Sequence, residues 1–247
     1  MKNNNEEDKI LLLIDFDGTI IDGDIVFTLF EETLSKEEYK LVTDFDHLNY
    51  AEAIDKYYKI MKKNNKTIND INPILEKMKF NEGLEELFTY IKNNKNKFFL
   101  ILITGDDLYP TTYFLKYKGV YDLFDYFIGI PSNISVNADS PGLIDVNYLP
   151  AHSCDFCDKS LCKANEFVKF LEKNDKYKNS KIFYICDGWN DYCLSSKYLK
   201  NSDFILAREG FSFWKLMKKD KYSKNIKSNV IYWNNGKEII DALTNNI

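Results

Sequence analysis

The sequence predicts an α/β fold, a doubly wound parallel sheet with a helical cap inserted after the first strand. Strand-sized aliphatic runs alternate with helical patterns, and parallel neighbours need such crossover helices. Three of the runs end in acidic or hydroxyl residues beside a glycine, as expected where functional groups collect at the carboxyl ends of parallel strands. A long helical stretch separates the first two strands and exceeds the short connections of a minimal βαβ unit.

The first third of the chain contains one strand followed by helices. Ile10–Ile14 is a continuous aliphatic run, which is typical of a strand buried on both faces. Apolar residues then recur at helical spacing as far as Asn94, and Ser35 is a suitable helix cap. The predicted helices are Ile25–Leu34, one that begins after Ser35, Tyr50–Met61, Ile68–Met78 and Leu84–Ile91.

The remainder of the chain alternates strands with helices. Phe98–Ile103 is a second buried strand, and it stops at Thr104. Pro131–Pro150 is rich in turn residues and is predicted to be irregular, with short strands at Ile134–Val136 and Val146–Leu149. The other predicted elements are helix Tyr113–Tyr117, strand Tyr126–Ile130, helix Lys163–Leu171, strands Lys181–Cys186 and Phe204–Ala207, a helix through Trp214–Met217, strand Val230–Trp233 and helix Gly236–Leu243.

These elements suggest three segments. Residues 1–24 and 85–247 form the α/β core, and residues 25–84 form the cap. Residues 131–162 form an irregular insert within the core that carries histidine and cysteine.

Composition excludes several functional classes. The 247 residues are 45% hydrophobic, enough for a substantial core, and the net charge of −5 gives no electrostatic support for nucleic-acid binding. The apolar runs are too short to span a membrane, and the polar N-terminal segment lacks the apolar centre of a signal peptide. Five cysteines are an odd number, which favours a reducing compartment over a disulfide framework. We expect a cytoplasmic monomer or homodimer.

The segment after the first strand carries two carboxylates. If the extended geometry persists, Asp15 and Asp17 project to the same side and repel each other unless a cation or a shared proton intervenes. Gly18 lets the backbone approach closely, and Thr19 adds a hydroxyl. Taken alone, this segment also fits an ordinary strand followed by an Asx-type turn.

Carboxylates at the ends of several strands favour a metal site. Asp187 and Asp191 follow a third buried strand, so they are expected near Asp15 and Asp17. Oxygen ligands of this kind suit Mg²⁺, which often takes phosphate oxygens as further ligands. The sequence therefore predicts a magnesium site formed by Asp15, Asp17, Asp187 and Asp191, with Asp191 either binding the metal or orienting its ligands.

This arrangement suggests covalent phosphoryl transfer. Asp15 would attack phosphorus and form an aspartyl phosphate. Asp17 would protonate the leaving oxygen and later activate water. Thr104 and Lys163 would hold the phosphoryl oxygens while charge spreads over them.

The motifs resemble those of the haloacid dehalogenase superfamily, in order and over nearly the whole chain. The resemblance implies a Rossmann-like core, a type-1 cap and phosphatase chemistry. It also implies that phosphate or substrate contacts come from Gly18, Thr104, Gly105, Lys163 and Asn190. A narrower similarity, to the phosphoethanolamine/phosphocholine phosphatase and pyridoxal phosphate phosphatase family, rests on His152–Lys163, Cys186–Cys193 and Asp203–Phe211. That family implies Mg²⁺-dependent hydrolysis of a small phosphomonoester.

The chain departs from this family where the family is expected to bind an amino or ammonium group. Gly105 stands in place of an aspartate, with Asp106 and Asp107 displaced by one and two positions. Val26 and Phe27 occupy positions that are acidic in the family, although Asp22 and Asp24 are nearby. The chemistry therefore transfers from the family better than the substrate specificity does.

The insert contains candidate ligands for a structural zinc ion. His152, Cys154, Cys157 and Cys162 lie within eleven residues, which suffices for a tetrahedral site. The alternative is a loop that packs small apolar thiols near the active site. Two other functions also stay open, a phosphotransferase or mutase of the same superfamily and a non-enzymatic zinc-binding module.

Overall fold

A six-stranded parallel sheet forms the centre of the fold in the computed structural model, which describes residues 9–47, 49–137, 140–150 and 152–247. The strands are β1 (Ile10–Ile14), β2 (Phe98–Asp107), β3 (Tyr126–Ile130), β4 (Ser132–Asn137), β5 (Ser140–Val146), β6 (Ile182–Cys186), β7 (Phe204–Arg208) and β8 (Asn229–Trp233). The main sheet has the order β3-β2-β1-β6-β7-β8, and β4 pairs with β5 in a separate antiparallel hairpin. The predicted doubly wound α/β fold is confirmed.

Eleven α-helices accompany the strands in the described residues. They are α1 (Ile25–Thr33), α2 (Lys36–Val42), α3 (Tyr50–Lys63), α4 (Ile68–Lys77), α5 (Leu84–Asn93), α6 (Leu108–Tyr117), α7 (Lys163–Lys173), α8 (Tyr192–Lys197), α9 (Ser212–Met217), α10 (Asp220–Ser223) and α11 (Gly236–Asn246). None of the helices in these ranges is long and apolar enough to cross a membrane. The polar segment before Lys9, which the sequence analysis assigned to the core, lies outside the described residues.

The position of β1 determines where the polar loops meet. β1 lies between β2 and β6 in parallel register, with Ile14 opposite both Leu102 and Ile185. Residues 11 to 14 are fully buried because helices cover both faces of the sheet. The loops that follow β1, β2 and β6 therefore open at the same edge of the sheet.

Two predicted boundaries are wrong at the end of β2. The strand continues to Asp107, and α6 begins at Leu108 rather than near Tyr113. Asp107 caps this helix, because its side chain accepts a hydrogen bond of 2.9 Å from the Tyr109 amide. Pro110 fits the first turn, where a missing amide proton has no helical partner to lose.

The segment after β3 is more regular than the sequence suggested. β4 and β5 form a hairpin, so the strand predicted at Val146–Leu149 is wrong. Ser132 begins β4 and pairs with Val146, so Tyr148 lies beyond the last paired residue. Its hydroxyl instead donates a 2.8 Å hydrogen bond to Asp55 of α3.

Tyrosines of α3 connect the cap helices to the end of β2. Tyr50 donates a 2.7 Å hydrogen bond to Asp106, and Tyr58 donates to the buried Asp107. Ser132 of the hairpin also donates to Asp107. The cap helices and the hairpin therefore meet the core next to the second polar loop.

Two glycines allow the starts of α5 and α11 to touch. A Cβ on Gly236 would lie 1.9 Å from the Gly83 carbonyl oxygen, and Gly83 itself has a positive φ of 76°.

We expect Gly236→Ala to lower the free energy of unfolding by about 3 kcal/mol, measured by urea denaturation, because the backbone of one of the two helix starts must move. Gly119→Ala is the control: its φ is 72° but the space is open, so it should cost only about 1–2 kcal/mol. Equal losses would contradict the proposed clash.

Candidate active site

A buried lysine joins two of the predicted carboxylates. Lys163 is the first residue of α7, and its Nζ lies 2.5 Å from Asp15 Oδ1 and 2.6 Å from Asp191 Oδ1. Lys163 is 1% exposed, and among the described residues these two carboxylates offset the lost hydration of its ammonium. Burial alone disfavours the charged form, but Asp15 and Asp191 outweigh it and raise the pKa of Lys163.

Three carboxylates surround a volume that suits a cation. Oxygens of Asp15, Asp187 and Asp191 all lie within 4.8 Å of one another. Burial raises the pKa of Asp15, and the Asp191 charge raises it further. Burial, followed by Asp191, raises the pKa of Asp187 to about 6. Three carboxylates and one ammonium leave a net charge of −2, which matches a divalent metal with oxygen ligands.

Asp191 is the most constrained of the three carboxylates. It is fully buried, and it accepts hydrogen bonds from Tyr184 and, at 2.8 Å, from the Gly188 amide as well as from Lys163. These donors hold the Asp191 carboxylate in place beside Lys163. Asp15 and Asp187 are freer to face a ligand.

Gly18 leaves room for Asp187. A Cβ at this position would lie 2.3 Å from Asp187 Oδ2, and its φ is 66°. Arg208 then fixes the loop, donating to the Gly18 carbonyl at 2.6 Å and to Asp22 at 3.2 Å. Its guanidinium also stacks 4.1 Å from the Phe211 ring. Any side chain at position 18 would displace the carboxylate that faces Asp15.

The Asp17 side chain lies outside the three-carboxylate group, and the role of Asp17 as a metal ligand stays a prediction. The strand ends at Ile14, so the alternation that would place Asp15 and Asp17 on one side does not continue. Asp17 Oδ1 instead accepts a 2.8 Å hydrogen bond from the Ile25 amide.

Asp17 belongs to a second acidic group, with Asp24 and Asp106. Burial raises the pKa of Asp17, and a hydrogen bond and the charge of Asp106 raise it further. Carboxyls this close share protons, so Asp17 is suited to donate one. Asp106 also accepts hydrogen bonds of 2.7 Å from both Thr104 and Tyr50.

One cavity of about 680 Å³ connects the two acidic groups. The cavity is lined by all the predicted catalytic, metal and phosphate-binding residues except Asp191, which lies behind Lys163. The predicted residues in its wall are Asp15, Asp17, Gly18, Thr104, Gly105, Lys163, Asp187 and Asn190. On the side of Asp24 and Asp106 the wall is aromatic, formed by Phe27, Phe45 and Tyr50. Trp189 stands at the entrance and is 51% exposed.

The sequence analysis did not include Asp24, Asp106 and Tyr50 among the site residues. Asp24 and Asp106 were noted only as neighbours of substituted family positions. Tyr50 reads as a helix residue in the sequence, and only the packing of α3 on the end of β2 reveals its contact. Of the two substituted positions in α1, Phe27 lines the cavity, whereas the Val26 side chain is buried in the core.

The predicted cysteine and histidine cluster also needs correction. Cys193, not His152, completes the group formed with Cys154, Cys157 and Cys162. The two ring nitrogens of His152 already have partners, the Asp158 carbonyl at 2.7 Å and the Cys154 amide at 3.2 Å.

A protein-family model described as "Putative Phosphatase" matches residues 10–247, which is almost the whole chain. The chain belongs to that phosphatase family. It is a phosphoric monoester hydrolase of the haloacid dehalogenase superfamily, as the motifs predicted. The family match includes both acidic groups and the cysteine segment.

Individual relatives of this phosphatase cover nearly its full length. The chain is 31% identical over 244 residues to pyridoxal phosphate phosphatase PHOSPHO2 of Bos taurus, covering 95% of this chain and 97% of the relative. It is 25% identical over 239 residues to a phosphoethanolamine/phosphocholine phosphatase of Gallus gallus, covering 94% and 86%. A substrate-bound phosphoserine phosphatase structure shares the fold, with a TM-score of 0.57 at 16% identity over 95% and 98% of the two chains.

The second acidic group makes the stability of this phosphatase depend on pH. Burial, followed by the Asp106 charge, raises the pKa of Asp24 from 3.8 to about 7. A carboxyl with a raised folded-state pKa contributes stability that is complete below pH 4 and is lost as the pH rises through 7. Asp24→Asn keeps an oxygen to cap α1, so we expect it to raise the free energy of unfolding at pH 8 by about 1–3 kcal/mol.

Urea denaturation in metal-free buffer checks this expectation. The advantage of Asp24→Asn should shrink as the pH falls and disappear near pH 4. An advantage of the same size at both pH values would show that charge repulsion is not its cause.

Proposed function

We propose that the protein is a Mg²⁺-dependent phosphatase that hydrolyses a small phosphomonoester through an aspartyl phosphate on Asp15. The observation that carries the proposal is the pairing of Asp15 with Lys163 at 2.5 Å, on the wall of a cavity that also contains Asp17. A nucleophile, an acid and a cation for the phosphoryl oxygens therefore share one space.

The donor set fits the expected metal. Asp15 and Asp187 would hold Mg²⁺, with Asp191 either as a further ligand or as the residue that orients Lys163. When bound, the ion would supply positive charge to the phosphoryl oxygens, together with the Lys163 ammonium. The net charge of −2 on the residues around this site supports a divalent ion.

The first half of the reaction transfers the phosphoryl group to the protein. An Asp15 carboxylate oxygen forms a bond to phosphorus while the bond from phosphorus to the leaving oxygen breaks. Asp17, whose pKa is raised by burial and by Asp106, donates its proton to that oxygen. Lys163 and Thr104 stabilise the charge that spreads over the remaining phosphoryl oxygens.

The second half returns the protein to its starting state. Asp17, now a carboxylate, takes a proton from a water molecule while the oxygen of that water bonds to phosphorus. The bond between phosphorus and Asp15 breaks and inorganic phosphate leaves. Asp17 is protonated again, ready for the next substrate.

The far end of the cavity supports substrates with a cationic or aromatic leaving group. Asp24 and Asp106 provide negative charge, and Phe27, Phe45 and Tyr50 provide ring faces. Ring faces and carboxylates together attract amines and quaternary ammonium groups, and the rings alone can stack on a heteroaromatic ring. We therefore favour phosphoethanolamine, phosphocholine and pyridoxal 5′-phosphate, and relatives with matching names support this choice.

Phosphate release from a substrate panel tests the proposal. The panel contains the three favoured esters, thiamine phosphate and p-nitrophenyl phosphate, each with Mg²⁺ and with a chelator. We expect turnover only with the metal, and highest kcat/KM for one of the favoured esters. Mg²⁺-dependent turnover with p-nitrophenyl phosphate preferred would contradict the substrate assignment, and no turnover on any ester would contradict the function.

Asp106→Asn tests how the leaving group is recognised. If Asp106 attracts a cation, the ratio of kcat/KM for phosphocholine to that for 3,3-dimethylbutyl phosphate, its uncharged analogue, should fall about tenfold. Both esters have an aliphatic alcohol as leaving group and depend on Asp17 as acid in the same way, so an effect of the variant on Asp17 leaves the ratio unchanged. Asp122→Asn, on the exposed surface, is the matched control and should leave the ratio unchanged.

A further inference from the structure

We propose that Cys154, Cys157, Cys162 and Cys193 bind a structural zinc ion that fixes the active-site lysine. All four sulfur atoms lie within 4.8 Å of one another, and all four residues are buried. Three come from the loop before α7, and the fourth comes from α8. The cluster lies behind the catalytic cavity, and Cys157 also lines it.

The distances between the sulfurs suit a tetrahedral ion. Cys193 Sγ is 3.2 Å from Cys154 Sγ and 3.7 Å from Cys162 Sγ. A zinc ion with four bonds of about 2.3 Å would hold its sulfurs about 3.8 Å apart. The observed group therefore needs only small movements to enclose Zn²⁺, and four sulfur ligands form a closed site of the structural kind.

Hydrogen-bond donors and a positive charge lie beside the cluster. The amides of Phe156 and Cys157 hydrogen-bond to Cys154, and the Asn165 amide hydrogen-bonds to Cys162. Lys197 adds a positive charge, with its Nζ 3.6 Å from Cys154 Sγ. Four thiolates around Zn²⁺ carry a net charge of −2, and amide donors and an ammonium offset that charge. Apolar thiol packing would require none of these groups.

The proposed site would connect two parts of the catalytic machinery. Cys162 directly precedes Lys163, and Cys193 follows Asp191 by two residues. Lys163 and Asp191 form the 2.6 Å ion pair of the active site. A zinc ion would therefore hold together the two chain segments that carry this pair. It would act on catalysis only by positioning Lys163.

Metal analysis of the protein purified without chelator or affinity metal tests the proposal directly. We expect about one zinc per chain, and growth with Co²⁺ should give the visible absorption bands of tetrahedral cobalt with thiolate ligands. Neither measurement depends on phosphatase activity, so a failure here is distinct from a failure of the proposed function. Wild-type protein without stoichiometric zinc, or with iron in its place, would overturn the proposal.

Single variants then identify the fourth ligand. Cys193→Ser should lose zinc and the cobalt bands, whereas His152→Ala should keep both. Cys186→Ser is the cysteine control, because this fifth buried cysteine lies outside the cluster. Loss of zinc in His152→Ala, with retention in Cys193→Ser, would reverse the ligand assignment. If Cys193→Ser fails to fold, stoichiometry and cobalt absorption of the wild type still decide whether zinc is bound.

The proposed positioning of Lys163 by zinc is tested by measuring kcat and thiol exposure after the zinc is removed. Removal of zinc from the wild type by a thiol-reactive mercurial with a chelator, followed by thiol reduction, should lower kcat at least tenfold and expose four thiols. Adding Zn²⁺ back should restore both the activity and the protection of the thiols. A zinc-free protein with full kcat would overturn the positioning role. Four thiols that stay protected after zinc removal would overturn the metal site.

Discussion

Replacing Asp15 by asparagine is expected to abolish phosphatase turnover, lowering kcat by a factor of about 10⁴ or more. Asparagine has nearly the same shape but a poor nucleophilic oxygen, so no phosphoryl bond forms at this position. The substitution also removes one of three crowded carboxylates, and burial and neighbouring charge raise the pKa values of two of them, Asp15 and Asp187. The variant should therefore remain folded.

Two measurements separate lost chemistry from lost structure in Asp15→Asn. Phosphate release in a single turnover should be undetectable, while the thermal midpoint should stay within a few degrees of the wild type. Asp122→Asn is the control for a substitution of the same type on the surface. Turnover above about one hundredth of the wild-type rate would contradict the role of Asp15 as nucleophile.

Replacing Lys163 by methionine should damage stability and catalysis together. The ammonium is buried between Asp15 and Asp191, so its removal leaves these buried carboxylates without the positive charge that offsets them. Breaking a buried ion pair in this way costs about 3–5 kcal/mol of unfolding free energy. The loss of a donor to the phosphoryl oxygens should lower kcat by about 10²–10³.

Lys169→Met is a matched control for Lys163→Met. Lys169 lies on the same helix, but its ion pair with Glu166 is exposed and should contribute little. Mg²⁺ should raise the thermal midpoint of Lys163→Met more than that of the wild type, because three carboxylates then face the metal without an ammonium. Stability equal to the wild type would contradict the described ion pair.

The fold could be predicted because its determinants are local. β1, β6 and the first six residues of β2 are continuous apolar runs, and polar residues follow each of them. Loops at the carboxyl ends of neighbouring parallel strands must meet, so the sequence placed Asp15 near Asp187 without any knowledge of distances. The family match confirms the resulting assignment as a phosphatase.

The contacts that the sequence did not reveal depend on how the chain turns. The side chain of Asp17 lies outside the three-carboxylate group because β1 ends three residues earlier and Gly18 adopts a left-handed conformation. Cys193 was not predicted as a ligand because it lies 31 residues beyond Cys162 in the sequence. Only packing of α8 against the loop before α7 brings these two sulfurs together. Tyr50 was missed for the same reason, since a helix residue in the cap gives no sequence signal of its contact with Asp106.

The most direct test of the central claim is to trap the phosphoryl group on Asp15. The enzyme is mixed with excess phosphoethanolamine or pyridoxal 5′-phosphate and Mg²⁺, quenched in acid and treated with borohydride, which reduces an aspartyl phosphate to homoserine. Peptide mass spectrometry should find homoserine at position 15, and none without substrate. Phosphate release at full rate with Asp15 never converted, or with another residue converted, would contradict the proposed mechanism.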